Sequence, residues 1–209
     1  MKKKELEILL SRLEEIKKPK VLLEQYTIPS NLAAEILYFA YLNGDIKDKI
    51  VFDFGCGTGR LAIGASLLGA KLVVGIDIDK SVIRQAKENL KLVKAKNVFF
   101  VLADITNLHC KGDTVIQNPP FGCKRRHADR IFLRKALEAG KVVYSLHRDG
   151  YKKTREFIKN FVKKYGGRVT NIIKMKFRLP AIFRFHKKPK VVYKVDLYRI
   201  VTISYSAFY

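Results

Sequence analysis

A doubly wound, mainly parallel α/β sheet is the architecture this sequence predicts, and three observations predict it. Short apolar runs of strand type alternate with runs of helical period from residue 49 to about residue 165. Four successive strand-type runs end on polar signatures: Asp53 with the glycines after it, Asp77, Asp104 and Asn118. In open α/β sheets ligands bind beyond the carboxyl ends of the strands, so a site is expected there. The C-terminal third, with RVTNIIKMKFRL and VVYKVDLYRIVTISY, alternates in period two and reads as two long antiparallel strands.

The elements follow in order. Leu6, Leu9, Leu10, Leu13 and Ile16 share one helical face, which predicts a first helix over residues 3–17. After a short link with Pro19, Ser30 is placed to cap a second helix running through Tyr41. KIVFDF (49–54) is a buried-type strand, followed by a Gly-rich turn and an apolar helix over about 61–68. KLVVGID (71–77) is the second strand. Val82, Ile83, Ala86, Leu90 and Val93 put a helix after it, which either Asp77 or Asp79 can cap. NVFFVLAD (97–104) and DTVIQ (113–117) continue the sheet. A helix over 129–139, the strand KVVYSLH (141–147) and the helix TREFIKNFVKKYG lead into the final two strands, seven in all.

With 209 residues and no linker or internal repeat, the chain reads as one domain, 1–209. Hydrophobic residues make up 48% and charged residues 29%, a globular balance. No apolar run has the roughly 18 residues of a membrane span, so no membrane role is expected. Glu5, Glu7, Glu14 and Glu15 interrupt the start, which argues against a signal peptide. Cys56, Cys110 and Cys123 lack zinc-type spacing and favour a reducing cytoplasm over a disulfide framework. No metal site is expected, and His109, His147 and His186 read as structural or surface residues. Charge is the loudest signal: 42 Lys and Arg face 19 Asp and Glu, a formal +23. Part of that is solvated surface, but the excess repels itself unless a polyanion balances it, and nucleic acid is the natural polyanion.

The strand ends carry the chemistry. DFGCGTG is neither GxGxxG nor a phosphate loop, and its DFG triplet has no other kinase motif with it. Alternate glycines let backbone approach a ligand closely, although a structural turn explains them equally well. Asp77, about 20 residues on and at the next strand end, is where nucleotide-type folds grip ribose hydroxyls. The combination points to a nucleoside-bearing cofactor. In VIQNPPFGCKRRH, Pro119 and Pro120 cannot extend the strand before them, so a stiff turn is the plain reading.

DFGCGTGRLAIGA, VVGIDID, LAD and NPPFG resemble the motif series of class I S-adenosylmethionine-dependent methyltransferases. NPPF resembles the signature of those acting on exocyclic or amide nitrogens. LLEQYTIPSNLAA, VVYSLH, LPAIFRFHKK and YKVDLYRI extend the resemblance, from about Leu6 to the C-terminus, to the methyltransferase-like protein 5 family, and to an archaeal member of it. That family pattern has a Pro-Thr pair after the Gln-Tyr, where this chain has Thr27-Ile28.

The resemblance implies a Rossmann-like fold, a mainly parallel seven-stranded sheet with helices on both faces and antiparallel C-terminal strands. Residues 1–45 would be a helical cap contributing to the cofactor site and 46–209 the catalytic core. It implies S-adenosylmethionine as cofactor and methylation of adenosine N6 in small-subunit ribosomal RNA. Asp77 would accept from both ribose hydroxyls and Asp104 from the adenine amino group, as acceptor-only carboxylates can. Gly55, Gly57 and Thr58 would bring backbone against the cofactor, Asp53 would orient the loop, and Arg60 would belong to the same cofactor-binding set. Gln25, Thr27 and Ile28 would close over it. Asn118 and the Pro119 carbonyl would hold the target amine, Pro120 would stiffen the turn, and Phe121 would stack on the base. Lys124, Arg125 and Arg126, with Lys187 and Lys188, would contact RNA phosphates. Expected partners are ribosomal RNA or the small subunit, and a small zinc-binding methyltransferase activator protein. Other NPPF-type activities (guanine N2, DNA adenine, protein glutamine) and a non-catalytic RNA-binding assembly factor stay as alternatives. Against them stand the lack of room for a DNA target-recognition insert, the Phe rather than Tyr at 121, and two intact site signatures.

Overall fold

The computed structural model describes residues 1–93, 95–122, 127–149, 152–180 and 190–203. Its centre is a seven-stranded sheet in the order β3-β2-β1-β4-β5-β7-β6. Strands β1 (Ile50–Phe54), β2 (Leu72–Asp77), β3 (Val98–Leu102), β4 (Gly112–Gln117) and β5 (Gly140–Arg148) run parallel. β6 (Gly167–Pro180) and β7 (Lys190–Thr202) form a long antiparallel pair, and β7 lies between β5 and β6. This is the class I methyltransferase architecture that the resemblance implies.

Two apolar layers cover the sheet. On one face, Val51, Val73, Phe100, Ile116, Tyr144 and Leu197 pack with α1 (Lys3–Ser11), α2 (Ser30–Leu42), α3 (Arg60–Leu67) and α4 (Lys80–Lys91). On the other, Phe52, Ile76, Val115, Val143 and Tyr198 pack with α5 (Ala128–Ala139) and α6 (Lys152–Lys164). Residues i and i+1 of a strand point to opposite faces, so both sides of the central strands must be apolar.

Two expected boundaries need correcting. The first helix stops at Ser11 and does not run to residue 17. Beyond it, the Glu14 amide donates to the Asn89 side chain at 2.8 Å and the Ile16 amide to the Thr27 hydroxyl at 2.8 Å. These long-range acceptors take donors that a continuing helix would have used internally, while Leu13 is still buried. Ser30 is the first residue of α2 and makes no cap; Pro29 holds the N-cap position. At α4 the cap is Asp79, whose carboxylate accepts from the Ser81 amide at 2.9 Å, leaving Asp77 for other work.

Candidate active site at the carboxyl ends of the parallel strands

β1 ends at Phe54 and the chain turns at once into α3. Gly55, Gly57 and Gly59 take positive φ of 69°, 52° and 81°, a region that β-carbon-bearing residues rarely enter. A Cβ on Gly59 would lie 2.5 Å from the Phe100 ring, whereas one on Gly57 would meet nothing within 4 Å. Gly57 therefore faces open space, a cradle along which a ligand can lie against backbone. That space belongs to a cavity of about 1080 Å³, open solvent at its mouth included.

Two carboxylates sit under this cradle. Asp53 is 1% exposed; its Oδ2 accepts from the Ala62 amide at 3.0 Å, and its Oδ1 has no hydrogen-bond partner. Burial, with the Asp77 charge adding to it, pushes this carboxyl up to about 7. Asp77 accepts from the Gly57 amide and from the Asp79 amide, each at 2.9 Å. Burial raises its pKa as well. Asp104 also lines the cavity, and its Oδ1 accepts from the amide and hydroxyl of Thr106, capping a short turn.

The N-terminal segment crosses the mouth as a strap. The Gln25 amide nitrogen donates to Asp79 Oδ2 at 2.9 Å, and Lys20 donates to Asp79 Oδ1 at 2.8 Å. Burial alone would raise the Asp79 carboxyl, but hydrogen bonds from Lys20, Gln25 and Ser81 outweigh it and hold it well below the usual range. Arg60 is 3% exposed and donates to the Ile28 carbonyl at 2.6 Å and the Leu13 carbonyl at 2.9 Å. It stands on the cavity wall, with both terminal nitrogens engaged by the strap's backbone. Thr27 and Ile28 line the same wall.

β4 ends at Gln117, and Asn118 and Pro120 form the far side of the cavity. Pro119 is buried beside them and Phe121 is half-buried, its ring 6.1 Å from that of Tyr26. The cavity thus brings together Gln25, Thr27, Ile28, Asp53, Gly55, Gly57, Thr58, Arg60, Asp77, Asp104, Asn118 and Pro120. Lys124, Arg125, Arg126, Lys187 and Lys188 lie outside the described residues.

Sequence reasoning missed Tyr26. Its hydroxyl donates to Asn118 Oδ1 at 2.6 Å, across 92 residues of chain. Phe132 and Ile105, two of several apolar residues in the lining, were also missed, because they read as ordinary core positions.

A basic surface flanks the site. The β6–β7 hairpin runs on past the end of β5, which stops at Arg148 opposite Val195. One face of its projecting part carries Phe177 and Tyr193, whose rings lie 5.8 and 6.5 Å from that of Tyr26. The other face carries exposed Lys176 and Lys194 directly opposite each other, and next to them, level with the end of β5, exposed Lys174 opposite Asp196. Exposed Lys152, Lys159 and Lys163 lie on the flank of α6 from which Arg155 reaches Asp196 of β7 at 2.8 Å. None of these six lysines has an ion-pair partner among the described residues. Like charges opposite each other destabilise a sheet unless something offsets them.

The rRNA N(6)-adenosine-methyltransferase METTL5 of Danio rerio is 38% identical over 95% of this chain and 98% of its own length. The Drosophila melanogaster protein of the same name is 35% identical over 95% and 96%. A crystal structure from Pyrococcus horikoshii, 44% identical, superposes with a TM-score of 0.89 over 97% of this chain and 98% of that one. The family model of ribosomal protein L11 methyltransferases matches residues 38–119, from the end of α2 through β1 to β4 and on to Asn118 and Pro119.

Proposed function

Because the chain belongs to the METTL5 family of rRNA N6-adenosine methyltransferases, we propose that it methylates the N6 amino group of an adenosine in small-subunit ribosomal RNA. The observation that carries the reading is the shared cavity. Asn118 and Pro120 stand across one space from Asp77, Asp104 and the glycine cradle.

The residues suit S-adenosylmethionine, which when bound supplies an electrophilic sulfonium methyl group. Asp77 would accept from the ribose hydroxyls and Asp104 from the adenine amine, and the open side of Gly57 leaves room for backbone contact. Gln25, Thr27 and Ile28 close the strap over it, and Arg60 keeps the strap in place through two carbonyls. Asn118 Oδ1 and the Pro119 carbonyl would accept the two hydrogens of the target amine. An aromatic amine is a poor nucleophile because its lone pair is delocalised; holding both hydrogens favours a pyramidal nitrogen. The two prolines fix the carbonyl beforehand, so little rearrangement is needed during reaction. Phe121, packed against Tyr26, would present a ring edge or face to the base. We take the chain as one domain, residues 1–45 capping the cofactor side of 46–209. A cytoplasmic location suits a ribosomal substrate and the unpaired Cys56 and Cys110.

The experiment is transfer of a tritiated methyl group to ribosomal RNA, with nucleoside analysis of the product. N6-methyladenosine is expected; N2-methylguanosine, or label in protein, would favour a different NPPF activity. Asn118→Ala should lower turnover by at least about 100-fold while cofactor affinity and thermal midpoint stay near wild type. Turnover close to wild type would sink the amine-holding role.

A partner fits the sheet edge. Among the described residues β3 pairs with β2 alone, and it exposes Phe99 (57%), Val101 (40%) and Leu102 (49%). An apolar open edge is a pairing hazard unless covered. We infer that a small zinc-binding methyltransferase activator covers it. Val101→Lys should abolish a 1:1 complex in size-exclusion chromatography; a complex that survives it would place the partner elsewhere.

A further inference from the structure

The strap and the acceptor loop are joined by one side chain that neither the sequence motifs nor the family comparison assigns. Tyr26 lies between Gln25, tied to Asp79, and Thr27, whose hydroxyl accepts from the Ile16 amide. Its own hydroxyl donates to Asn118 Oδ1 at 2.6 Å. Three aromatic neighbours hold its ring: Phe177 at 5.8 Å and 20°, Tyr193 at 6.5 Å and 10°, and Phe121 at 6.1 Å and 36°. Ring and backbone are therefore both fixed, and the hydroxyl has a defined place.

We propose that Tyr26 is a positioning residue that sets the side-chain amide of Asn118 for the target amine and couples it to the cofactor strap. The proposal rests on the reading of Asn118 as an amine acceptor. An asparagine amide has two nearly isosteric ends, and only the oxygen end can accept an amine hydrogen. The wrong rotamer would point an N–H at the substrate amine. In the observed rotamer the hydroxyl donates to Oδ1, which fixes that end in place and occupies one of its two lone pairs. The second lone pair remains for the amine. Burial raises the tyrosine pKa far above neutrality, so the hydroxyl keeps its proton wherever the protein is folded.

The coupling follows from where the strap is anchored. Gln25, Thr27 and Ile28 line the cofactor cavity and Tyr26 is embedded among them, so anything that orders the strap also orders the hydroxyl on Asn118.

The test compares Tyr26→Phe, Asn118→Ala and wild type in methyl transfer to ribosomal RNA, cofactor calorimetry and thermal unfolding. Tyr26→Phe keeps the ring and removes only the donor. We expect its kcat to fall by about 10- to 100-fold, with RNA KM, cofactor Kd and thermal midpoint near wild type. A structural role would move these quantities differently. If the ring matters only as packing, Phe restores full turnover while Tyr26→Ala does not, and the proposal is overturned. It is also overturned if the midpoint and kcat fall together in Tyr26→Phe. Should Tyr26→Phe not fold, 3-fluorotyrosine at position 26 preserves the shape and sharpens the donor, and an unchanged kcat there sinks the idea. Asn118→Ala separates the two readings. If it stays active, the acceptor reading fails; if it is dead while Tyr26→Phe is fully active, only the positioning role fails.

Discussion

Asp53, one residue before the end of β1, has a buried carboxyl with one oxygen on the Ala62 amide and the other unpartnered, and this arrangement has a pH signature. In the unfolded chain it ionises near its ordinary 3.8, while in the folded protein burial pushes it up to about 7. Between these values the unfolded chain has lost the proton that the folded state keeps. Stability from this group is therefore complete below about pH 4, declines as the pH rises, and is gone above about 7. Asp53→Asn removes the dependence, so its midpoint advantage over wild type should grow from pH 4 to 7 and then level off. A constant difference across that range would show that Asp53 does not titrate there. Asp77 works differently, because both its oxygens face amides and the cavity. Asp77→Ala should weaken S-adenosylmethionine at least about tenfold in calorimetry, and unchanged affinity would remove it from the site. Asp53, Asp77, Asp104 and Asn118 were legible in the sequence because each closes a strand. Tyr26 and Asp79 were not, as partners of Asn118 and Gln25. Their contacts span 92 and 54 residues, and nothing local marks a tyrosine or a helix cap as the other end of such a bond.

At the scale of elements, the projecting hairpin separates two kinds of contact. Its inner face supplies the rings behind Tyr26, and its outer face supplies lysines level with the α6 flank. Replacing Lys174, Lys176 and Lys194 with Gln should weaken RNA binding and lower the log–log salt slope by roughly 2 to 3 if all three meet phosphates, at 0.7–0.9 for each lost contact. Cofactor affinity should not move, since none of the three lines the cavity. An unchanged slope would leave them as solvated surface. The alternation of VVYKVDLYRIVTISY made these strands legible, as the clean periods of α4 and β4 did for theirs. The first helix was over-read because its apolar period continues to Leu13 and Ile16. Both residues do pack inward, Leu13 fully and Ile16 partly, but from a non-helical strap whose amides are claimed by Asn89 and Thr27. Periodicity reports which way side chains face, and it cannot report which carbonyl takes a given amide.

The whole molecule carries a formal +23, and mutual repulsion of that size acts on the folded chain alone until an anion arrives. Raising sodium chloride from about 20 to 300 mM shortens the Debye length from roughly 20 to 6 Å, so the thermal midpoint should rise by several degrees. A flat or falling midpoint would mean that paired charges already relieve the repulsion. The fold class was legible from alternation alone, whereas the strand order was not. Nothing in the sequence of β7 shows that it inserts between β5 and β6, because that choice is made by distant partners. The cavity has its own order along the chain: every residue that lines it falls between Ile16 and Phe132. Synthesis from the N-terminus therefore delivers the complete wall of the small-ligand pocket before any of the hairpin leaves the translating ribosome. A nascent chain carries every residue of that wall before it carries Lys174, Lys176 and Lys194, or the rings of Phe177 and Tyr193 that back Tyr26, so the hairpin arrives as a late brace on a wall whose residues are already made.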